Sequence, residues 1–235
     1  MEFLSDKYIL LAITFLIYAA IQMAQMRIPN LYLKALCNPV LFTIGLMILL
    51  LTVTGISVET YNDGGQLLEF WLKPAIVALG VPLYKQLSTI RKQMIPIILA
   101  EIAGCVLGVI SVVLVAKLLG ASQLVILSIA SKSVTTPIAM EVTSAVGGIP
   151  SITSAVVIVV GLFGGMAGFR LMRLSRINTP VAQGLSMGTA AHAFGTYRAM
   201  GVSDTHGAFA SLGLTINGIF TAILTPFILD LMGML

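Results

Sequence analysis

The residues with chemistry to offer gather in two short stretches. Ser131, Lys132, Ser133, Thr135 and Thr136 precede Pro137, and His192, Gly195 and Thr196 precede Arg198. Hydroxyls with a proline mark a place where a helix stops and another starts, with a hydroxyl at the N-cap and proline in the first turn. Such a start presents free N–H groups and a partial positive charge, which favour an anion. Lys132 or Arg198 adds a full charge, and an arginine suits a two-pronged grip on a carboxylate. The expected ligand is therefore a small carboxylate anion, with nearby hydroxyls bonding an α-hydroxyl or α-keto group. The candidate binding residues are Lys132, Ser133, Thr135, Thr136, Pro137, His192, Gly195, Thr196 and Arg198, with Asn217 reaching across from the last apolar run. Glu101, Glu141 and His192 are candidates for coupling to protons, since ionisable groups within an apolar span mark function by default.

Plainer readings stand beside these. Lys132 can snorkel to an interface. Glu141 can pair with Lys132 or Arg198, and Glu101 with Lys73 or Lys85. His192 can be a hydrogen-bonded packing residue. His206, beside Asp204, reads as interfacial, and Tyr61 and Trp71 as interfacial anchors. Cys37 and Cys105 both lie in apolar runs and read as buried small hydrophobes. Paired carboxylates, zinc spacings, phosphate-binding loops and serine elbows are all missing, so neither an enzyme nor a cofactor or metal is expected.

These residues sit in a chain of 235 amino acids that is 58% hydrophobic and only 9% charged. A soluble domain carries about 25% charged residues. Too few charges exist to cover a water-facing surface, which excludes soluble enzymes, nucleic-acid binders and disordered scaffolds. The net charge of +4 does not point to nucleic acid, because the basic residues flank apolar runs as orientation signals do. A cleavable leader is not expected, since Glu2 and Asp6 stand where a basic region would be.

A helix needs about 20 apolar residues to cross a bilayer. The runs 8–26, 35–56, 150–169 and 207–229 meet this without a charge; 94–116 meets it with Glu101 alone. A sixth, 66–85, contains Glu69, Lys73, Pro74 and Pro82. Loops bearing Arg27 and Lys34, then Lys85, Arg91 and Lys92, then Arg170, Arg173 and Arg176 are expected on the cytoplasmic side. The loop with Glu59 and Asp63 is expected outside. The chain is then outside near Lys117 and inside at Arg170, and the run from 150 accounts for that crossing. Residues 123–147 are too few to cross twice, so a re-entrant hairpin of two half-helices is predicted there, and another at 180–200. One kinked spanning helix in each place is the alternative.

A shift of 57 residues aligns Pro74–Ala78 with Ser131–Thr135, Gly104 with Gly161, and Gly108 with Gly165. A second shift brings Gly161 onto Gly218 and Val134-Thr135 onto Ala191-His192. Each unit is a broken segment followed by a glycine-containing span, with an odd number of crossings, so successive units would be inverted as in secondary transporters. The predicted fold is an all-α polytopic membrane protein: about six spanning helices plus two broken, re-entrant segments in an inverted-repeat arrangement. The predicted division is a scaffold and dimerisation part at 1–120, with a first broken segment at 61–90, and a substrate-binding part at 121–235.

Lys132-Ser133-Val134-Thr135-Thr136-Pro137-Ile138-Ala139, together with Gly188, His192-Ala193, Gly195-Thr196 and Ala199, resembles signature stretches of the LrgB/CidB family. Asp63-Gly64-Gly65, Pro74-Ala75-Ile76-Val77-Ala78-Leu79 and Pro82-Leu83-Tyr84-Lys85-Gln86 are similar to a third. The resemblance runs from about Asn38 to the C-terminus. It departs at Lys73, where the family usually has glycine, and at Ser131, where it usually has proline. The resemblance implies a bacterial inner-membrane protein often partnered by a smaller LrgA/CidA-type membrane protein; a homodimer formed through the spans outside the hairpins is expected separately. It implies either modulation of murein hydrolases and autolysis in antiholin fashion, or transport of small acids, as for the plastid glycolate/glycerate transporter and the bacterial members linked to pyruvate. The polar breaks favour a secondary transporter of small 2-hydroxy or 2-oxo monocarboxylates, because a holin needs only apolar helices that associate.

Overall fold

The computed structural model of the chain describes residues 6–28, 39–78 and 80–235, apart from the side chains of 67–69, 71–73, 75–78, 80, 82 and 83. The expectations placed on Lys34, Cys37, Glu69, Trp71, Lys73 and Pro82 fall outside what is described. The described residues are helical and form two compact units, Met1–Ala78 and Leu79–Leu235.

The first unit holds α1 (Lys7–Met26), α2 (Pro39–Thr54) and α3 (Val58–Ala78). Asp6 caps α1 by accepting from the Tyr8 and Ile9 amides at 2.8 and 3.3 Å. The loop expected to carry Glu59 and Asp63 is instead helix, because α3 starts at Val58. The Asp63-Gly64-Gly65 stretch serves packing there: a Cβ on Gly64 would lie 2.6 Å from the Lys7 carbonyl oxygen. The Tyr61 hydroxyl meets Thr14 Oγ1 at 3.2 Å, which ties α3 to α1.

The second unit contains α4 (Gly80–Lys85), α5 (Leu87–Lys92), α6 (Met94–Leu118), α7 (Gln123–Ile129), α8 (Thr136–Ala145), α9 (Pro150–Leu174), α10 (Pro180–Met200) and α11 (Asp204–Leu231). Among the described residues, α1, α6, α9 and α11 are long and apolar enough to cross a membrane, and α2 is a shorter apolar helix. That is four full-length candidates where the sequence predicts about six spans. The difference lies in α2, described only from Pro39, and in the 66–85 run, divided between α3 and α4.

α6 and α11 run parallel at the centre. Ile97 clusters with Phe209, a Cβ on Gly213 would meet Glu101 Oε1 at 3.0 Å, and Cys105 Sγ lies 3.5 Å from Thr221 Oγ1. The buried residues of α6 recur every three or four positions, from Ile97 through Glu101, Cys105, Val109 and Val113 to Ala116. That spacing puts them on one face.

Both broken segments fold back on themselves. α7 stops at Ile129, and α8 starts at Thr136 with Pro137 in its first turn. Proline disfavours helix at the residue before it, and Thr135, just before α8, is extended with φ −62° and ψ 146°. Hydroxyls zip the two legs in antiparallel order. Ser131 Oγ donates to the Ala139 carbonyl at 3.1 Å and meets Thr143 Oγ1 at 3.2 Å. The Ile149 amide donates to Ser128 Oγ at 2.8 Å, and Thr153 Oγ1 lies 2.7 Å from the Ser128 carbonyl and 2.9 Å from Thr143 Oγ1. A single kinked span would hold Ser128 and Ile149 far apart, so the contacts make this segment a hairpin.

α10 turns back at His192, whose φ of 41° and ψ of −129° are non-helical. A positive φ is uncommon for a residue with a side chain and marks local strain. The legs touch closely enough that Gly195 is required: a Cβ there would overlap the Met187 carbonyl. The sequence places the second half-helix at Gly195-Thr196; the structure starts it immediately after His192. The α7–α8 hairpin begins beside the C-terminal ends of α6 and α11, where Ala121 N donates to the Ala116 carbonyl and Gln123 Nε2 to the Met234 carbonyl. The α10 hairpin begins beside the N-terminal end of α11, where Gly184 approaches the His206 carbonyl. The two hairpins therefore enter the unit from opposite ends.

Candidate functional site

The two hairpins meet at one amide. Asn217, on α11 and 1% exposed, donates through Nδ2 to the Ser133 carbonyl at 3.2 Å and to the Thr189 carbonyl at 3.0 Å. A carbonyl oxygen can only accept, so chemistry fixes which end of the amide faces the breaks. Its Oδ1 accepts from Thr221 Oγ1 at 3.4 Å. Glycines let the breaks come close: Gly104 faces the Thr189 methyl, and Gly108 faces Ser133 Oγ.

A cavity of about 340 Å³ opens at this junction. That volume lies at the small end of ligand pockets, which span roughly 300–1,000 Å³. Glu101, Gly104, Cys105 and Gly108 of α6 form one wall, and Ser131, Lys132 and Ser133 of the first break form another. Ser186 and Thr189 of α10, with Asn217 and Thr221 of α11, complete the polar lining.

The cavity holds one cation and one acid that do not pair with each other. Among the described residues, the ion pair within 4.0 Å is Lys85–Asp204, at 3.8 Å. Lys132 Nζ donates to Ser133 Oγ at 3.2 Å, and an ammonium has three hydrogens to give. Glu101, 1% exposed, has Thr189 Oγ1 at 2.7 Å from Oε1 and 2.8 Å from Oε2. The same hydroxyl lies 2.8 Å from the Leu185 carbonyl. Thr189 thus serves either protonation state of the acid. It donates to a carboxylate, or accepts from a carboxyl while donating to Leu185.

Of the residues singled out in the sequence, the structure brings Lys132, Ser133, Asn217 and Glu101 together. Ser131 and Cys105 line the same cavity, and the remaining binding and coupling candidates lie outside it. Thr135 stands at the N-cap of α8 but its hydroxyl makes no cap bond, Thr136 begins the helix, both are half-buried, and Pro137 is exposed. Glu141 is exposed on α8, and Arg198 is exposed over the Phe169 ring at 6.0 Å. Thr196 donates to the Ala210 carbonyl at 3.3 Å and Gly195 packs against α10's other leg. His192 Nε2 lies 3.0 Å from the Val157 carbonyl, with the ring edge-on to Phe194 and under Gly161. His206, in the first turn of α11, is buried against protein neighbours. Nδ1 meets Ser203 Oγ at 2.8 Å and Nε2 meets Gln183 Oε1 at 3.0 Å. Sequence reasoning missed Thr189, Ser186 and Thr221. The available signal was the Gly188-Thr189 pair, which matches Gly195-Thr196 on the other leg of the same hairpin.

The chain matches the LrgB-like family over residues 14–231. It is 36% identical over 222 residues to "Uncharacterized protein YwbG" of Bacillus subtilis, covering 94% of this chain and 97% of that one. It is 34% identical over 198 residues to "Antiholin-like protein LrgB" of Bacillus cereus, covering 84% and 86%. The Bacillus anthracis protein of the same name matches at the same identity and coverage. No solved structure matches it.

Proposed function

The chain belongs to the LrgB-like family of membrane proteins, and from that premise we propose that it is a secondary transporter of small 2-hydroxy or 2-oxo monocarboxylates in the bacterial inner membrane. The observation that carries this reading is the cavity between the tip of the first hairpin and the first leg of the second, with Lys132 and Glu101 in its wall and unpaired with each other. A lysine at membrane depth costs about 2.5 kcal/mol or more unless paired or hydrated. An incoming carboxylate supplies the missing partner. Its oxygens, a keto oxygen included, bond the remaining hydrogens of Lys132 Nζ and the Ser133 hydroxyl, and Asn217 Oδ1 is an acceptor for a substrate hydroxyl. Glu101 is the coupling residue in this reading, because it shares the cavity with the anion while His192 and Glu141 do not. Hairpins entering from opposite ends suit alternating access between inverted units. The homodimer and the smaller LrgA/CidA-type partner belong to this proposal as well.

A second reading, an antiholin-like regulator of murein hydrolases, is favoured by the names of the relatives at 34% identity. The family comparison weighs toward that second reading; the cavity weighs toward the first. Uptake of labelled glycolate, glycerate or pyruvate by proteoliposomes separates them. The transporter reading expects saturable, carboxylate-selective uptake that Lys132→Met reduces at least about tenfold, the loss of one charge-assisted contact of about 1.5 kcal/mol or more. Non-saturable leakage of unrelated solutes, indifferent to Lys132→Met, would overturn it.

A further inference from the structure

The cavity is partly open, and along the α6–α11 seam an apolar seal bounds it at each end. Toward the N-terminal ends of these helices the seal is thin, formed by Ile90, Ile97, Leu185 and Phe209. Toward the C-terminal ends it is thicker, with Val109, Val113, Ile126, Leu127, Ile228 and Leu229 in one cluster. One polar atom is trapped at that thicker end. Thr225 is 0% exposed, and among the described residues its Oγ1 is the buried side-chain polar atom with no hydrogen-bond partner.

Its position is not arbitrary. Asn217, Thr221 and Thr225 follow one another at four-residue spacing, which stacks them on one face of α11. The first two line the cavity. The third continues the polar row one turn into the apolar seal, at a level of α6 between Cys105, which meets Thr221, and Val113, which shares the seal with Ile228. A helical hydroxyl normally bonds the carbonyl four residues back, as Ser211 does with Gly207 at 2.9 Å and Thr215 with Ser211 at 2.8 Å. Thr225 does neither this nor anything else, and a buried hydroxyl without a partner is a net cost to the closed state. The next residue, Pro226, has no N–H and removes one rung of the α11 ladder at the same level. Helices bend at such points.

We infer that Thr225 belongs to the outlet of the permeation path on the Lys117 side. The C-terminal turns of α11 swing at Pro226 together with the α7 half-helix, which Gln123 ties to the Met234 carbonyl at 2.7 Å. Ile126 and Leu127 then leave Ile228 and Leu229, and the Thr225 hydroxyl takes over the passing anion or its water after Asn217 and Thr221. This outlet rests on the transporter reading for its solute, but not for its existence.

Two variants test it in the full chain. Thr225→Cys in right-side-out membrane vesicles is treated with a membrane-impermeant thiol reagent, against the parent chain, whose own cysteines set the background. Ile223→Cys, on the exposed side of the same turn, is the control. The outlet expects Thr225→Cys to react at least about tenfold faster than both, in keeping with a minor open state of a few per cent. Thr225→Val keeps the shape and removes the orphaned hydroxyl. It should unfold at the same or a higher temperature while uptake falls at least about fivefold, a conversion of roughly 1 kcal/mol of lost contact. Saturable uptake by the parent chain, with no labelling at Thr225→Cys and full uptake by Thr225→Val, overturns the outlet and leaves the transporter reading intact. Rapid labelling in a chain that takes up no carboxylate supports the outlet and overturns the substrate.

Discussion

Asn217→Leu removes the bridge between the hairpins while keeping nearly the same shape. Both amide hydrogens are committed to backbone carbonyls of different breaks, at 3.2 and 3.0 Å. Leucine donates neither. Hydrogen bonds between helices in a bilayer contribute about 0.6 kcal/mol on average and about 1.7 at most, so two contribute roughly 1–3 kcal/mol. The Ser133 carbonyl belongs to a residue of the cavity wall, where water can replace the lost donor, which pulls the sum toward the lower figure. For a chain of this size each kcal/mol shifts the unfolding midpoint by about 2–4 °C, so the purified variant should melt roughly 2–12 °C lower. Uptake by proteoliposomes should fall more steeply than stability does, at least about tenfold, because the bridge holds both halves of the site in register and a misplacement of about 1 Å is enough for such a loss. Asn217→Gln keeps the donors on a longer arm and should recover part of both. A melting point within about 1 °C of the parent, with uptake within about twofold, would refute the idea that the two breaks are coupled through this side chain.

Three further outcomes follow from the same geometry. Glu101→Gln keeps a hydrogen-bonding group beside Thr189 but cannot release a proton; solute counterflow should persist while stimulation by an inward proton gradient disappears, and a retained stimulation would remove Glu101 from coupling. Gly161→Ala places a Cβ within 2.5 Å of His192 Cε1 and 2.6 Å of Phe194 Cδ2, so thermal unfolding should report an overpacking loss of about 1–3 kcal/mol. Adding His192→Ala should relieve much of that loss, since residues in contact are not additive. Thr153→Val breaks the hydroxyl zipper at Ser128 and Thr143. A loss of about 1 kcal/mol should speed amide exchange at Ile149 roughly fivefold, while exchange in the core of α6 stays unchanged.

Local physics made much of this molecule legible in its sequence. Long apolar runs with basic ends read as spans because every backbone polar group in a bilayer must bond within its own helix or within protein. Hydroxyls before Pro137 read as an interruption because they offer the freed backbone groups partners while proline disfavours helix just before it. The second interruption was legible in the crossing count and in the stretch from Ala191 to Thr196, and its turning point lies at His192. The extent of α3 was not legible, because Asp63-Gly64-Gly65 has the composition of a turn, whereas in the structure it lies within the helix with Gly64 close against Lys7.

The membership of the cavity was decided by packing alone. Glu101 and Thr189 are 88 positions apart, and Asn217 and Ser133 are 84 apart, so no window along the chain contains either pair. His192 and Thr189 lie in one helical stretch, yet one ring turns to Val157 and the other hydroxyl to Glu101. Nothing local chooses between those faces. The reversal of the chain at His192, and the glycines that let α6, α9 and α11 approach it, do. Residue types set which atoms need partners in an apolar medium; only the folded contacts set which partners they find.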